Sequence, residues 1–256
     1  MKVVIIIPTY NEEGHIEQTI LLLQKIITQV NQPVTQHEFI LLIYDSASTD
    51  ATAAIVRRLQ TQYSTILLLT EAKKSGLGSA YINAMQYANT ELNADCVFEF
   101  DADGSHQPQH IPTMLAALDA GADVVMGSRY VSGGKVDADW AWHRHLISRA
   151  GNVIARFFLT SRYKDLTTGF RATRVSMLKK ISLDKLISKN YAYKLHLFWE
   201  LYRAGAHIVE VPITFIDRQH GVSKFPRNNI IESLKVVMIL RARVLKGLFL
   251  HVIKSA

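Results

Sequence analysis

The sequence predicts an α/β fold, a mostly parallel sheet covered by helices on both faces. Three observations carry this. Short β-branched runs alternate with segments of helical periodicity through the first half. The runs are apolar at consecutive positions, as in strands buried on both sides. Polar clusters follow directly on several of the runs, where such sheets place their ligands.

In order, residues 2–8 form a β-branched run that stops at Pro8, and residues 12–30 carry Ile16, Ile20, Leu23, Ile27 and Val30 at helical spacing. Residues 38–45 read as a second strand, after which Asp50 is placed to cap a helix running to about Tyr63. Residues 64–70 give a third strand, followed by a helix from about Gly78 to Ala88. Residues 95–103 give a fourth strand, a helix led by Pro108 comes next, and residues 122–130 give a fifth strand. Beyond Tyr130 the rhythm changes. A Gly- and Asp-containing loop over 131–142 precedes a helix from about Ala141 to Leu159. Residues 167–174 and 179–186 are less regular, 192–205 is a helix closed by Gly205, and 207–218 reads as one strand. The tyrosines and tryptophan at 191, 193, 199 and 202 share a helical face that suits a core. From Asn228 to about Ile253 one long helix is apolar on nearly every face, interrupted by Lys235, Arg241, Arg243, Lys246 and Lys254. Core helices rarely bury so many cations, so the pattern predicts an amphipathic helix lying in a membrane interface.

Composition narrows the function. Of 256 residues, 48% are hydrophobic and 20% charged, the balance of a globular protein. The single cysteine, Cys96, excludes an internal disulfide and a disulfide-stapled secreted scaffold. The apolar run Val3–Ile7 is too short for a signal peptide, and no window is long and apolar enough for a transmembrane helix. Residues 1–128 hold 6 Lys+Arg against 14 Asp+Glu, a net of −8, whereas residues 129–256 hold 23 against 8, a net of +15. Such a split suits an acidic half that holds a metal and a basic half that faces an anion. No nucleic-acid-binding module is recognisable, so nucleic acid is not the expected partner.

The polar groups at the strand ends are Pro8, Tyr10, Asn11 and Glu12, then Asp45 and Ser48, then Asp101 and Asp103, then Ser128 and Arg129. Asp101-Ala-Asp103 offers two carboxylates just past a strand, hard oxygen ligands suited to Mg²⁺ or Mn²⁺ with positions left for phosphate oxygens. Residues 73–80, Lys-Lys-Ser-Gly-Leu-Gly-Ser-Ala, set backbone amides at a helix start, where anions bind, but have neither the P-loop nor the Rossmann spacing.

The blocks IIIPTYNEE, YDSASTDAT, KSGLGSA, FDADGSHQP, GSRYVSGG, RHLISRAGN, DLTTGFRA and EVPITFIDRQHGVSKF follow in this order between about residues 3 and 226. This set resembles the inverting family 2 glycosyltransferases of GT-A fold, and within them the polyprenol-phosphate (dolichol-phosphate) mannosyltransferases. The resemblance implies a GT-A, Rossmann-like domain over 1–227, with a nucleotide-sugar half (1–128) and an acceptor half (129–227), followed by the interfacial helix 228–256. It implies that Pro8, Tyr10, Glu12, Asp45 and Asp101 bind the nucleotide, and that Asp101 and Asp103 hold the metal and donor diphosphate. Arg129, Arg144 and Ser148 would receive the acceptor phosphate, and Arg218 and Lys224 would close over the diphosphate beside Asp103 as the catalytic set. Departures from the family pattern are Ser46, where a second Asp is frequent, Ala51, where Gly is frequent, and Ser105, where Gln is frequent.

The chemistry is consistent with these residues. A phosphate monoester is largely ionised at neutral pH, so its attack on a sugar nucleotide needs no strong base, and none of His106, His143, His145 or His220 is assigned as one. The cost is two anions held together, which basic residues and a metal offset. The expected reaction moves a sugar, mannose from GDP-mannose by resemblance, to a polyprenyl phosphate at the cytoplasmic face of an anionic membrane. UDP-glucose or an amino-pentose nucleotide are rival donors. Rival functions are a family 2 transferase with a soluble acceptor, a sugar-nucleotide pyrophosphorylase, and a catalytically silent membrane-binding scaffold.

Overall fold

The computed structural model describes residues 1–30, 37–137, 142–216 and 227–255. In chain order the elements are β1 (Lys2–Thr9), α1 (Ile16–Val30), β2 (Glu38–Asp45), α2 (Thr52–Gln60), β3 (Ile66–Thr70), α3 (Leu77–Thr90), β4 (Cys96–Glu99), α4 (Ile111–Asp119) and β5 (Val124–Ser128). They continue with β6 (Lys135–Val136), α5 (Trp142–Phe158), β7 (Arg171–Arg174), α6 (Val175–Leu178), α7 (Tyr193–Arg203), β8 (Ile208–Pro212), β9 (Thr214–Phe215) and α8 (Arg227–Ser255).

The main sheet has seven strands in the order β3-β2-β1-β4-β7-β5-β8, all parallel except β7. The chain builds outward from β1 to β3, then returns to place β4 on the other side of β1. That reversal opens a crevice beyond the carboxyl ends of β1 and β4, between the segments that carry Tyr10 and Asp101.

β1 explains the two-sided core. Val3, Val4, Ile5, Ile6 and Ile7 are all fully buried. Because side chains alternate along a strand, Val4 and Ile6 face α3, α5, α7 and α8, whereas Val3, Ile5 and Ile7 face α1, α2 and α4. Each such side chain contributes about 1.5–3 kcal/mol of burial.

Four details depart from the sequence reading. Residues 171–174 are not irregular but form β7, an antiparallel strand inserted between β4 and β5. The single strand expected over 207–218 divides at Ile213: β8 joins the main sheet and β9 pairs with β6. Asp50 is not the cap residue of α2, which is Ala51, but its Oδ1 accepts the Thr52 N–H at 3.0 Å and so satisfies one helix-start donor. The helix from Asn228 is not wholly interfacial. Val236, Val237 and Leu240 of α8 are buried in the core, and the opposite face stays exposed.

Candidate active site

The first cluster joins the ends of β1 and β2. Pro8 is buried within β1. Asp45 is also buried and accepts Thr9 Oγ1 at 3.0 Å, Ser48 N at 3.1 Å and Ser48 Oγ at 2.5 Å. Asn11, at φ 52°, turns the chain so that its N–H reaches Ser48 Oγ at 2.9 Å. The Glu12 N–H donates to Thr52 Oγ1 at 2.8 Å. Lys74 Nζ stands 3.3 Å from the centre of the Tyr10 ring, so this lysine belongs to the site's rim rather than to a solvated charge pair. The amides at the start of α3 are spoken for: Gly78 N and Ser79 N donate to Lys189 O at 2.8 and 3.2 Å. The anion seat considered for that loop is thus filled by the protein's own carbonyl.

The second cluster surrounds the carboxylate pair. Asp101 is a quarter exposed, with Tyr81 Oη donating to its Oδ1 at 2.8 Å and Lys194 Nζ to its Oδ2 at 3.3 Å. Burial works against ionising Asp101, but the Lys194 ammonium and the Tyr81 hydroxyl outweigh it and hold the carboxyl well below the usual range. Asp103 is half-buried, and its Oδ1 accepts the Ser105 N–H at 3.1 Å. His106 is buried, stacked on Phe170, and takes the Asp101 N–H on Nδ1 at 3.0 Å. Burial depresses its pKa despite nearby Asp101, leaving a neutral ring that positions the loop. Ser105, where the family often has Gln, is buried and serves Asp103 through its backbone.

Beneath this cluster lies a buried pair that sequence reading did not single out. Glu99 accepts Arg171 Nε at 2.5 Å and Nη2 at 3.0 Å, and it also accepts the Tyr193 hydroxyl. Arg171 Nη1 in turn donates to Lys194 O at 3.2 Å, which pins the start of α7 beneath Asp101. Tyr193 and Trp199 are core residues as expected, but Tyr191 is a site residue. Its hydroxyl donates to Thr167 O at 2.9 Å, and its ring lies 5.0 Å from Lys194 Nζ.

The third cluster holds the residues expected to receive the acceptor. Arg129 is buried in an ion pair with Asp165, with Nε at 2.7 Å from Oδ2 and Nη2 at 2.8 Å from Oδ1, and Nη2 also reaches Thr167 Oγ1 at 2.8 Å. The structural ion pair that rivals phosphate binding is therefore present. Thr167 and Tyr191 connect it to Lys194 and Asp101, and Phe215 lies within ring contact of both Arg129 and His106. Arg144 is half-buried on α5, and Ser148 Oγ lies 2.9 Å from Tyr130 Oη. Their four-residue spacing puts Arg144 and Ser148 on one face of α5. Arg218 and Lys224 lie outside the described residues.

Asp165 and Gly169 lie in the quoted block DLTTGFRA without an assigned role, and nothing in the sequence pattern pointed to Lys194. Each acquires its role through a long-range contact, Lys194 with Asp101 across 93 residues and Arg129 with Asp165 across 36.

Comparisons with known proteins identify the family. The glycosyl transferase family 2 model matches residues 4–182. The chain is 37% identical over 234 residues to polyprenol monophosphomannose synthase of Mycolicibacterium smegmatis, covering 91% of this chain and 84% of that protein. It is 38% identical over 224 residues to undecaprenyl-phosphate mannosyltransferase of Micrococcus luteus, covering 88% and 87%. In fold it is similar to the crystal structure of glucosyl-3-phosphoglycerate synthase from Mycobacterium tuberculosis with UDP, at a TM-score of 0.64 and 17% identity, over 94% of this chain and 80% of that one. With the reversal of strand order, the carboxylate pair at that crevice and a match over most of its length, the chain belongs to the glycosyl transferase family 2 and is a glycosyltransferase of GT-A-like fold.

Proposed function

We propose that the enzyme transfers mannose from GDP-mannose to a polyprenyl phosphate, working from the cytoplasmic face of a membrane. The mannosyl part of the reading is supported by the two relatives, which are named polyprenol monophosphomannose synthase and undecaprenyl-phosphate mannosyltransferase.

One observation carries the acceptor half. α5 has two different faces. Trp142, Leu146, Val153 and Phe157 recur at helical spacing and are exposed, Trp142 at 77% and Phe157 at 82%. Arg144 and Ser148 lie on the other side of the same helix, with buried Ala155. α8, packed against α5, adds exposed Ile231, Leu234, Met238 and Leu245, flanked by exposed Lys235, Arg241 and Lys246. Two adjacent helices with apolar outer faces and cationic flanks fit an anionic bilayer. A lipid phosphate held by α5 keeps its tail in that bilayer and its headgroup on the protein side. Among the described residues no helix is long and apolar enough to cross a membrane.

The site suits a divalent ion of the kind that is shared with a substrate. Asp101 and Asp103 supply hard carboxylate oxygens, and among the described residues no three His, Cys, Asp or Glu side chains are grouped so as to hold a metal by themselves. Two carboxylates plus donor phosphate oxygens are a Mg²⁺ or Mn²⁺ set, not a cage made by protein alone. The fold relative glucosyl-3-phosphoglycerate synthase was crystallised with Mn²⁺ and UDP-glucose. When bound, the ion would neutralise charge on the leaving diphosphate.

The chain's own residues do the rest. Pro8, Tyr10, Glu12 and Asp45 hold the nucleotide at the ends of β1 and β2. Arg144 and Ser148 receive the acceptor phosphate, with Arg129 linked to Ser148 through Tyr130. The family resemblance assigns Arg218 and Lys224 to the diphosphate, and both lie outside the described residues. The acceptor is already ionised, so the positioned nucleophile needs no base. The test offers radiolabelled GDP- and UDP-sugars with a short polyprenyl phosphate and extracts the product into organic solvent. Label from GDP-mannose is expected in the organic phase. Transfer from UDP-glucose alone would replace the donor, and transfer to water-soluble acceptors alone would remove the lipid.

A further inference from the structure

We infer that Lys194 is a resident cation of the donor site: its ammonium occupies Asp101 when no nucleotide is bound, so that a divalent ion enters with the donor diphosphate rather than ahead of it. This rests on reading Asp101 and Asp103 as the diphosphate site.

Lys194 is 1% exposed, and lysine is seldom buried without a partner. Its partner is Asp101, at 3.3 Å from Oδ2, and the ammonium also lies 5.0 Å from the Tyr191 ring and 5.9 Å from the Tyr81 ring. The ion pair has a shaped seat. A Cβ at Gly169 would stand 2.1 Å from Nζ, so the missing side chain at 169 makes the space for the charge. The backbone beneath is fixed as well, since Arg171 holds Lys194 O while pairing with Glu99, and Glu99 accepts Tyr193 next to it in sequence. A side chain held from three sides does not swing away at little cost.

The electrostatic consequence follows. Asp101 has a hydroxyl on one oxygen and an ammonium on the other. A divalent ion approaching the nucleotide-free pair meets the positive charge of Lys194 at close range. A diphosphate brings enough negative charge to make both cations favourable, and Lys194 then lies where it can share a phosphate oxygen. Lys194 is accordingly a positioning residue that sets the order and strength of metal and donor binding.

The measurements are Mn²⁺ binding without nucleotide, read from the free-ion electron paramagnetic resonance signal, and GDP binding in EDTA, read by calorimetry. Lys194→Gln should bind Mn²⁺ alone at least about tenfold more tightly than wild type, and GDP in EDTA at least about tenfold more weakly. Gly169→Ala keeps the lysine but displaces its ammonium, and it should shift both values in the same directions. Unchanged Mn²⁺ affinity in both variants, with native near-ultraviolet circular dichroism, overturns the inference. Failure of wild type to bind GDP or UDP even with Mn²⁺ would instead overturn the donor-site reading, while the Mn²⁺-alone comparison still decides the role of Lys194.

Discussion

The acidic and basic halves of this glycosyltransferase assemble their parts of the site in different ways. In residues 1–128 the candidate groups sit at or just beyond parallel strand ends, and Thr9, Asp45 and Ser48 join two neighbouring strands directly. In residues 129–256 the groups act through distant partners: Arg129 through Asp165, Ser148 beside Tyr130, Lys194 on Asp101. The strand that makes this possible is β7. Running antiparallel between β4 and β5, it begins at the edge where its neighbours end, and so delivers Thr167 to Phe170 into the crevice. A parallel sheet edge thus positions the first set of candidate groups, and one reversed strand brings in the second.

The largest effect should come from the joint between the halves. Arg171→Met leaves buried Glu99 without its ion-pair partner, at an expected cost of about 3–5 kcal/mol in unfolding free energy by denaturant titration. A loss under about 1 kcal/mol would mean that the joint is not what holds α7. Next, Asp103→Asn should lower transfer by about a hundredfold, since it removes charge at the diphosphate, while thermal stability stays near wild type because the side chain is half-buried at a strand end. Retained turnover at saturating Mg²⁺ or Mn²⁺ would break the assignment of the acidic half.

In the basic half, Arg144→Ala should raise the apparent Michaelis constant for polyprenyl phosphate by about tenfold and leave GDP affinity unchanged. Arg129→Ala is a poorer probe, because it strands Asp165 and will read as lost stability. Altered GDP affinity in Arg144→Ala would move the acceptor site elsewhere. A smaller effect is expected at the outer face. Phe157→Asp should weaken partition onto anionic vesicles several-fold in a sedimentation assay, since it removes one exposed apolar side chain among several. Equal partition would remove α5 from the membrane face.

How much was legible follows the same division. The run from Val3 to Ile7, the helix of Ile16, Ile20 and Leu23, and the Asp101–Asp103 pair could be read because each signal is local and periodic. β7 is four residues long, has arginine at both ends and is buried only because Glu99 lies across from Arg171, so no local pattern marked it as a strand. Lys194 lies in a helical run with no local signal to single it out, and it meets Asp101 and Gly169 only in the fold. α8 was read as interfacial from its cations. Those at 235, 241, 243 and 246 are exposed, but its apolar residues are divided between core and surface, which a helix hydrophobic on nearly every face does not reveal.

The central claim is that the acidic half presents a sugar nucleotide to a lipid phosphate held by the basic half. The most direct measurement is the initial rate at saturating GDP-mannose against polyprenyl phosphate concentration, in wild type and Arg144→Ala, with product counted in the organic phase. The account predicts saturable transfer in wild type and a curve displaced to about tenfold higher lipid concentration in the variant, with a similar plateau. Identical curves for the two proteins, or a rate in wild type that does not depend on the lipid, would contradict it.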